Sequence, residues 1–476
     1  MDTPRRFPAL TVAATSLGFA VVQLDVTIVN VALPRMGADL AAPVASLQWI
    51  VDAYALTFAA LLLSAGALSD RLGARATYVV GFALFALASW MCGVAPDARS
   101  LIAARALQGV GAALLVPSSL ALLNAACERN PSWRARAVGL WTAAGGASIA
   151  AGPLIGAMLV GAFGWRSIFF VNVPVCALAA LAALRWLRDE RPGHAAHAFD
   201  VRGQILAVVT LTALVATIIS ASKDSGDAAT IAAGCVIAVL GAIGFCAVEA
   251  RAAAPMLPLA FFRRAGFGCA ILFGVVVNLT YYGIVFVLSL YLQQVRRYAA
   301  LEAALAYLPL TATFIVSNVA SGTLMARLGT RLPMIAGALI GAIGFALLAR
   351  LDATSPFTAM LAPFVLIPFG MGLAVPAMTT LTLSSVERPS SGTATGALNA
   401  ARQVGGALGV AVFGGLVAND RIVAGLREAA CIAAALMIVA AVVAASRRPA
   451  PHSGDRARTA DAASPRVLQQ QCTRIR

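Results

Sequence analysis

Long apolar segments follow one another along almost the whole chain, with short polar connections between them. Each extends over about 20 residues, the length that an α-helix needs to cross a hydrocarbon core about 30 Å thick. The pattern therefore predicts an all-α integral membrane protein with fourteen transmembrane helices, at residues 10–32, 47–67, 76–94, 101–125, 137–160, 168–184, 204–220, 228–248, 267–292, 303–326, 332–348, 357–383, 393–418 and 429–445.

Composition supports this prediction and removes one alternative. The 476 residues are 60% hydrophobic and 12% charged, with a mean hydropathy of +0.86, whereas about 25% of the residues of a soluble domain are charged. A net charge of +15 is also a feature of nucleic-acid binders. Because the basic residues lie between the apolar segments, no nucleic-acid partner is predicted.

The distribution of the basic residues predicts the orientation of the chain. With both termini in the cytoplasm, the cytoplasmic connections hold most of the 35 Lys and Arg residues, as the positive-inside rule requires. The first apolar segment is too long for the core of a signal peptide, so we expect it to remain as the first span. The expected location is the inner (cytoplasmic) membrane. The polar, basic segment 446–476 is expected to be a disordered cytoplasmic tail that can lie on anionic lipid headgroups.

An internal repeat organises the helices. Segment 66–75 (GALSDRLGAR), after span two, is echoed by segment 322–331 (GTLMARLGTR), after span ten. Span five aligns loosely with span thirteen, where a coincidence of glycines is the alternative explanation. Such halves are typical of transporters. The predicted units are an N-terminal six-helix bundle (1–184), a cytoplasmic connection (185–203), an inserted helix pair (204–248), a C-terminal six-helix bundle (249–445) and the tail (446–476).

Several kinds of site are not predicted. The eight cysteines include no CxxC pair, and the three histidines lie in loops or in the tail, so we expect neither a metal site nor a disulfide framework. Lys223 is the chain's one lysine and is followed by Asp224, which excludes a GxxxxGK[ST] phosphate loop. An ATP-driven pump would need its ATPase from another chain.

Ionisable residues inside apolar segments are candidates for function, because a charge at the bilayer centre costs at least about 2.5 to 3.5 kcal/mol. Asp25 of span one and Arg105 of span four fall at similar depths, since these spans run in opposite directions. Burial strengthens proton binding by a carboxyl group and a nearby arginine weakens it. A change in their separation would therefore let Asp25 bind and release a proton; a static pair is the alternative. Asp52 is a candidate second acid or a solvated helix-end residue, and Arg402 lies within span thirteen.

Small residues and a proline characterise span five. Gly152 and Gly156 allow a neighbouring helix to approach closely, and Pro153 interrupts the backbone hydrogen bonds, so that the helix can bend. The expected neighbour is span ten, through Ser317, Ser321 and Gly322.

Seven motifs occur in one order along the chain. They are LDVTIVNVALP at 24–34, the repeat segment at 66–75, RALQGVG at 105–111, GPLIG at 152–156, WRSIFFVNVP at 165–174, DVRG at 200–203 and RQVGG at 402–406. Together they resemble the motifs of the major facilitator superfamily, and specifically of its 14-helix drug:proton antiporter branch. The resemblance extends over about residues 7–445.

This resemblance implies a fold of two six-helix bundles around a central cavity, with an inserted helix pair. It implies alternating access and export of small organic molecules in exchange for protons, with a proton gradient and no cofactor. Arg105 matches an arginine implicated in proton transfer, and Gly152, Pro153 and Gly156 match the motif associated with exporters. The segment at 66–75 matches a gating loop that stabilises the outward-facing state, with Glu128 as a candidate partner; its residues here are Gly66, Asp70, Arg71, Gly73 and Arg75.

Polar residues and acids of the spans predict the character of the substrate. Candidates for substrate contact, each of which could equally form an interhelical hydrogen bond, are Gln23, Asn278, Tyr281, Asn399 and Gln403. Asp25 and Asp52 are the acids that could meet a ligand inside the membrane, and a dication would be expensive to bury beside so few. Neutral, zwitterionic, weakly acidic or at most monovalent cationic substrates are therefore expected.

Three alternative functions are considered. Proton-coupled uptake of a small organic solute is the nearest alternative. A membrane sensor would need a soluble signalling domain, and a membrane enzyme would need a cluster of His, Asp or Glu at one membrane face; the sequence predicts neither, so the chain is not expected to be an enzyme. The expected partners are the small-molecule substrate, protons and the lipid bilayer. A periplasmic adaptor with an outer-membrane channel is a further candidate.

Overall fold

The structure is a computed structural model, and it describes residues 8–126, 131–187, 200–221, 227–252, 255, 257, 259–387, 391–418 and 421–446. In chain order its α-helices are α1 (Pro8–Asp39), α2 (Val44–Leu72), α3 (Ala74–Val94), α4 (Ala98–Ala126), α5 (Pro131–Phe163), α6 (Ser167–Phe170), α7 (Asn172–Trp186), α8 (Val201–Ala221), α9 (Ala228–Arg251), α10 (Ala265–Leu290), α11 (Ala300–Ala306), α12 (Leu308–Leu328), α13 (Arg331–Leu348), α14 (Phe357–Ser384), α15 (Ser391–Leu416) and α16 (Ile422–Ser446). A 3₁₀ helix at Leu259–Arg263 precedes α10, and a π-helical turn at Tyr291–Val295 follows it.

Helices dominate because a bilayer offers the backbone no hydrogen-bond partners, so that an apolar segment must pair its own N–H and C=O groups. Twelve helices of the described ranges are long and apolar enough to cross a membrane, and the bent helix α5 makes thirteen. The fourteenth predicted span is α15, which carries Asn399, Arg402 and Gln403 and is too polar to be counted with the others. The predicted all-α membrane fold is confirmed, and a total of fourteen spans is consistent with it.

The long helices alternate in direction, and the assembly therefore has two faces. We call one the Gly73 face, which carries the connections at Gly73 and Gly329, and the other the Pro43 face, which carries those at Pro43 and Gly164. In the predicted orientation the Gly73 face is cytoplasmic. Gly73 and Gly329 occupy matching positions of the sequence repeat, and both have a left-handed backbone, with φ of +89° and +71°. This conformation favours glycine, which explains why the repeat keeps it.

Two groups of helices pack in the same way. The pairs α1–α5, α2–α4 and α3–α7 in the N-terminal half correspond to the pairs α10–α15, α12–α14 and α13–α16 in the C-terminal half. This arrangement follows the six-plus-six repeat, although the predicted domain boundaries remain predictions. Most of the predicted connection at 185–203, and the whole tail after Ser446, lie outside the described residues.

The two intervening helices, α8 and α9, lie on the outside of these bundles. α8 contacts α2 and α15, and α9 packs on α8. Gln204 of α8 donates from Nε2 to the Ala60 carbonyl oxygen at 2.8 Å and accepts a hydrogen bond from Ser64. Large apolar side chains of α9 such as Ile243 are exposed on the protein surface, as expected for a helix that faces lipid.

The two bundles are joined close to the Pro43 face. Gln48 of α2 donates to the Ala411 carbonyl oxygen of α15 at 2.8 Å. Gln293 donates to the Val31 carbonyl oxygen of α1 at 3.0 Å, and Ser289 also donates to the backbone of α1. The central space between the bundles is therefore closed toward the Pro43 face by direct contacts.

Candidate functional site

A buried ion pair between Asp25 of α1 and Arg105 of α4 lies inside the N-terminal bundle. Arg105 Nη1 is 2.5 Å from Asp25 Oδ2, and the two side chains are 1% and 0% exposed. Because α1 and α4 are antiparallel neighbours, these two residues meet at one depth within the bundle. The structure thus brings together the two residues that the sequence singled out for proton coupling.

Three uncharged polar side chains complete a closed network around this pair. Gln108 Nε2 donates to Asp25 Oδ1 at 2.8 Å and to Ser89 Oγ at 3.0 Å. Asn172 Nδ2 donates to the same two oxygens at 3.1 and 3.0 Å, and Arg105 Nη1 also donates to Gln108 Oε1 at 2.7 Å. Both carboxylate oxygens of Asp25 therefore accept hydrogen bonds, which compensates for much of the cost of burying the charge.

Sequence reasoning did not select these three residues. Gln108 lies one helical turn after Arg105, inside the motif RALQGVG, and Asn172 lies inside the motif WRSIFFVNVP. A helical turn places Gln108 on the same face as Arg105, so this neighbour could have been found. Ser89 carries no comparable signal in the sequence, because a serine in an apolar helix commonly bonds to its own backbone.

Arg105 also contacts α2 and an aromatic environment. Its Nε donates to the Ile50 carbonyl oxygen at 3.1 Å. The guanidinium carbon lies 4.3 Å from the ring centroid of Tyr54 and 5.9 Å from that of Phe169, within the range of cation–π attraction. The arginine therefore links α4 to α1, α2 and the segment that carries Phe169.

Asp52 of α2 is buried in a different way from Asp25. It is 0% exposed, and neither carboxylate oxygen has a hydrogen-bond partner among the described residues. Of the two alternatives for Asp52, the solvated residue at a helix end does not agree with the structure, since α2 begins two turns earlier and the side chain is buried. An unpartnered buried carboxyl group is costly, which makes Asp52 a candidate for function.

A first cavity lies between the two bundles beside these residues. Its volume is about 30 Å³, which is room for about two water molecules. The N-terminal bundle contributes Asn30, Asp52, Tyr54 and Arg105 to its wall, and the C-terminal bundle contributes Tyr282, Gln403, Gly406, Ala407 and Val410.

A second cavity of about 30 Å³ lies between α1, α5, α10 and the α11–α12 segment. Its wall includes Thr27, Pro153, Tyr281, Tyr282 and Thr311. The structure therefore places Tyr281 and Gln403 at the space between the bundles. Of the other three candidates for substrate contact, Gln23 and Asn399 do not line either cavity, and Asn278 donates to the Gly274 carbonyl oxygen of its own helix at 2.8 Å.

Helix α5 bends by 41° between Ala143–Ile149 and Ala151–Phe163. Pro153 cannot donate to the carbonyl group four residues earlier, which accounts for the position of the bend. The close neighbour of Gly152 is α1: an added Cβ would lie 2.9 Å from Thr27 Cβ, and closer still to its Oγ1. The expected packing of this glycine on span ten is therefore wrong.

The serines that were expected to receive Gly152 have other partners. Ser317 Oγ donates to the Pro368 carbonyl oxygen at 3.2 Å, and Ser321 Oγ donates to that of Leu373 at 2.7 Å. Both bonds run from α12 to α14, inside the C-terminal bundle. Gly156 packs against Ile28 of α1. Gly152 and Gly156 thus pack within the N-terminal bundle, whereas Ala157 of the same helix packs with Ala304 of α11.

The predicted gating loop lies at the Gly73 face. Gly66, Asp70 and Arg71 lie in the last two turns of α2, and Gly73 ends that helix. The Asp70 side chain and the candidate partner Glu128 lie outside the described part of the chain. The structure therefore gives the backbone of this loop, whereas the proposed latch stays a prediction.

The arginine at the end of each repeat segment makes the same contact. Arg75 Nη2 donates to the Leu184 carbonyl oxygen at 2.6 Å, at the end of α7. Arg331 Nη2 donates to the Ala445 carbonyl oxygen at the end of α16. A cation at a helix C-terminus is favourable, so each bundle uses its arginine to cap its last helix. The expected pairing of Arg75 with an acid stays a prediction, because the candidate partner lies outside the described residues.

No group of three or more His, Cys, Asp or Glu side chains suited to a metal ion occurs within the described ranges. The side chains that line the two cavities are amide, hydroxyl, aromatic and aliphatic groups, with Asp52 and Arg105 as the charged ones. This lining, mainly apolar with a few polar groups, resembles that of small-molecule sites, but each cavity as it stands has room for about two water molecules.

Comparison with known proteins gives one consistent result. The family model described as Major Facilitator Superfamily matches residues 15–410. The chain is 36% identical to the methylenomycin A resistance protein of Bacillus subtilis (strain 168), over 84% of this chain and 86% of that protein. It is also 36% identical to the tetracenomycin C resistance and export protein of Streptomyces glaucescens, over 87% and 76% of the two chains.

A third relative is the multidrug resistance protein Stp of Mycobacterium tuberculosis (strain CDC 1551 / Oshkosh), which is 34% identical over 87% of this chain and 76% of that protein. Among solved structures, a bacterial homolog of the human lysosomal transporter Spinster, in an inward-facing and unoccupied conformation, superposes with a TM-score of 0.67. It is 17% identical and covers 94% of this chain and 100% of its own. That likeness supports the fold.

Proposed function

Because the chain belongs to the major facilitator superfamily, we propose that it is a transporter that exports small organic molecules from the cytoplasm in exchange for protons. Relatives named for antibiotic resistance and export support both the direction and the substrate class. Proton-coupled uptake of an organic solute is the alternative, and the direction of transport separates the two.

One observation carries the proposal: Arg105 belongs both to the Asp25 network and to the wall of the first cavity. A residue in this position interacts with the charge of Asp25 and also contacts the space between the bundles. A change in the charge of Asp25 can therefore alter the wall of the cavity. Asp25 itself is fully enclosed by protein groups. Arg105 therefore lies between the first cavity and the carboxyl group that would bind the proton.

In the proposed cycle, a proton binds to Asp25 and removes the negative charge that Arg105 neutralises. A buried arginine without its counterion is strongly destabilised, so the guanidinium moves to a new acceptor. Asp52 lines the same cavity, and both its oxygens lack a hydrogen-bond partner within the described ranges. We assign Asp52 the role of this second acid, which receives Arg105 when Asp25 is protonated.

Helix α2 can transmit this movement to the contact between the bundles. Ile50 accepts a hydrogen bond from Arg105, and Gln48, two residues earlier, donates to Ala411 of the other bundle. A shift of Arg105 therefore loosens α2 where it holds the Pro43 face closed. Opening that face while the Gly73 face closes is alternating access, the exchange of two discrete packing arrangements.

The remaining motif residues have supporting roles in this proposal. The loop around Asp70 and Arg71 gates the Gly73 face. Gly152 and Pro153 keep α5 closely packed on α1 beside the second cavity, which limits proton leak. The transporter lies in the inner membrane with both termini in the cytoplasm, and it uses the proton gradient without a cofactor. An adaptor with an outer-membrane channel remains a candidate partner.

Transport in membrane vesicles of known sidedness tests the proposal. Everted vesicles that contain the protein should accumulate ethidium when their lumen is acidified, and a protonophore should abolish this accumulation. Vesicles with Asp25→Asn should accumulate no more ethidium than vesicles without the protein. Accumulation only in right-side-out vesicles would establish uptake instead, and uphill transport by Asp25→Asn would exclude this acid as the proton site.

A further inference from the structure

A second arginine, Arg402, lies in the membrane-spanning part of the C-terminal bundle, with no hydrogen-bond or ion-pair partner among the residues that the structure describes. Arg402 occupies the middle of α15 and is half-buried. No side chain or backbone group of the described residues forms a hydrogen bond or ion pair with it, and its Nε is buried without an acceptor. Arg105, by contrast, has three acceptors at 2.5 to 3.1 Å.

The stem of Arg402 is fixed in an apolar niche. A Cβ placed on Gly274 would lie 3.4 Å from Arg402 Cγ, and Leu398 and Met378 lie beside the same point at 3.0 and 3.5 Å. Gly274 therefore leaves room for the methylene groups, and the helices α10 and α14 determine where the guanidinium can reach. Burying a cation in a membrane without a counterion costs free energy. Such residues therefore commonly face a water-filled cavity or a ligand.

Tyr282 shows which space the guanidinium faces. This tyrosine is close enough to Arg402 to interact with it electrostatically, and it lines both cavities between the bundles. Gln403, next to Arg402 in the chain, lines the first cavity. The arginine therefore lies at the rim of the space through which a substrate would pass.

From these observations, and on the basis of the proposed export function, we propose that Arg402 binds the anionic group of the substrate. The planar guanidinium offers a fork of donors that matches a carboxylate or a similar oxyanion. The apolar body of such a molecule would lie against Tyr282 and the adjoining cavity walls. Organic monoanions are therefore a preferred substrate class of this transporter.

The test compares nalidixic acid, an aromatic monocarboxylate, with its methyl ester, and uses ethidium as a cationic control. We expect nalidixate, but not the ester at the same concentration, to raise the unfolding temperature of the purified protein. Arg402→Gln should lose this response and reduce nalidixate export by about tenfold or more, the effect of losing charge-assisted hydrogen bonds. Arg402→Lys should retain part of the nalidixate export, since an ammonium group keeps the charge but lacks the planar pair of donors.

Arg421→Gln is the matched control, because it also removes one positive charge from the C-terminal bundle, at an exposed surface pair with Glu428. It should behave as the wild type with all three compounds. Ethidium export by Arg402→Gln shows that this variant is folded and active. If that variant retains the nalidixate response, or if the wild type responds equally to acid and ester, the inference is overturned while export stands. If the wild-type protein exports none of the three compounds, the proposed function fails as well.

Discussion

The two bundles share one helix arrangement but differ in what fills their interiors. In the N-terminal bundle, polar side chains from α1, α3, α4 and α7 form the closed network around Asp25. In the C-terminal bundle, α13 and α14 approach backbone to backbone: a Cβ on Gly337 would lie 3.0 Å from that of Ala374 and even closer to the Gly370 carbonyl oxygen. Close glycine contacts occur in both bundles, but the described ion pair with its hydrogen-bond network lies in the N-terminal one.

This difference indicates which bundle responds to a proton. A network that contains a carboxylate changes its interactions when that group is protonated, whereas glycine contacts and aliphatic side chains have no charge to lose. Packed interiors of the second kind move as rigid units, because they shift between discrete arrangements and do not deform gradually. The N-terminal bundle is therefore expected to contain the switch, and the C-terminal bundle to supply the opposing wall of the cavity.

The largest effect is expected from Asp25→Asn. Asparagine keeps the shape of the side chain but cannot take up a proton, so transport driven by a pH gradient should fall to the level of vesicles without protein. Asp25→Glu, which retains a carboxyl group, should recover part of the activity. Asp39→Asn, on the exposed end of the same helix, is the matched control and should transport normally. The proton-site role would be wrong if Asn and Glu variants were equally impaired.

A loss of about 10- to 100-fold is expected from Arg105→Lys. Lysine keeps the charge but cannot reproduce the bonds from Nε to Ile50 and from Nη1 to Asp25 and Gln108 at the same time, and each such bond is worth about 1.5 to 3 kcal/mol. Initial rates of ethidium transport at equal amounts of inserted protein measure the effect. Near wild-type rates would favour a merely structural pair.

The glycines of α5 and α15 test whether the two bundles differ in rigidity. An added methyl group at Gly409 meets the backbone of Leu279, with the carbonyl carbon at 2.8 Å, whereas at Gly152 it meets the side chain of Thr27. A side chain can rotate and a backbone cannot, so Gly409→Ala should destabilise the purified protein more, by about 1 to 3 kcal/mol. Gly146→Ala, with nothing within 4 Å, is the control. Thermal unfolding ranks the variants, and the reverse order would contradict the comparison.

Transport itself should be impaired by the larger substitution Gly152→Leu, because the longer side chain separates α5 from α1 beside the second cavity. The proton leak of vesicles, measured with a pH-sensitive dye, should rise at the same time. Normal transport with an unchanged leak would show that this packing has no part in coupling.

Asp52→Asn is expected to have a smaller effect, of about tenfold or less, because the amide oxygen of asparagine still offers Arg105 an acceptor, although without the charge. The loss should be greater for a monovalent quaternary ammonium compound than for a neutral antibiotic.

Divalent quaternary ammonium compounds should be poor substrates of the wild type. Resistance assays in a host without its own major exporters measure the export of the neutral, monovalent and divalent compounds. Strong gradient-dependent export of the divalent compounds would show that a further acid, besides Asp25 and Asp52, meets the substrate.

The smallest effect is expected at the capping arginines, where the two bundles are alike. Arg75→Gln and Arg331→Gln each remove one cation from a helix C-terminus, which is worth about 0.3 to 1 kcal/mol. The two variants should lower the unfolding temperature to a similar, small extent. A large difference between them would mean that one arginine also acts in the gate.

Most of the architecture could be predicted from the sequence, because the bilayer restricts the solutions. The apolar segments predict the approximate positions of the spans, and a total of fourteen is consistent with the twelve to thirteen candidate spans of the described ranges. The repeat at 66–75 and 322–331 predicts two similar bundles. Gly73 and Gly329, at matching positions of this repeat, both have a positive φ. The spacing of Asp25 and Arg105 in antiparallel spans was enough to predict their shared depth.

The sequence by itself determined a polytopic helical membrane protein with a charged pair in its interior, since hydropathy and helix length are local properties. Only the tertiary structure decided which helices touch. It placed Gly152 on α1 instead of span ten, enclosed Asp52 without a partner, and added Gln108, Asn172 and Ser89 to the ion pair. The physical reason is that the sequence of an apolar helix gives little sign of the surroundings of each side of the helix. Which side faces lipid, a neighbour or the cavity depends on contacts between residues far apart in the chain.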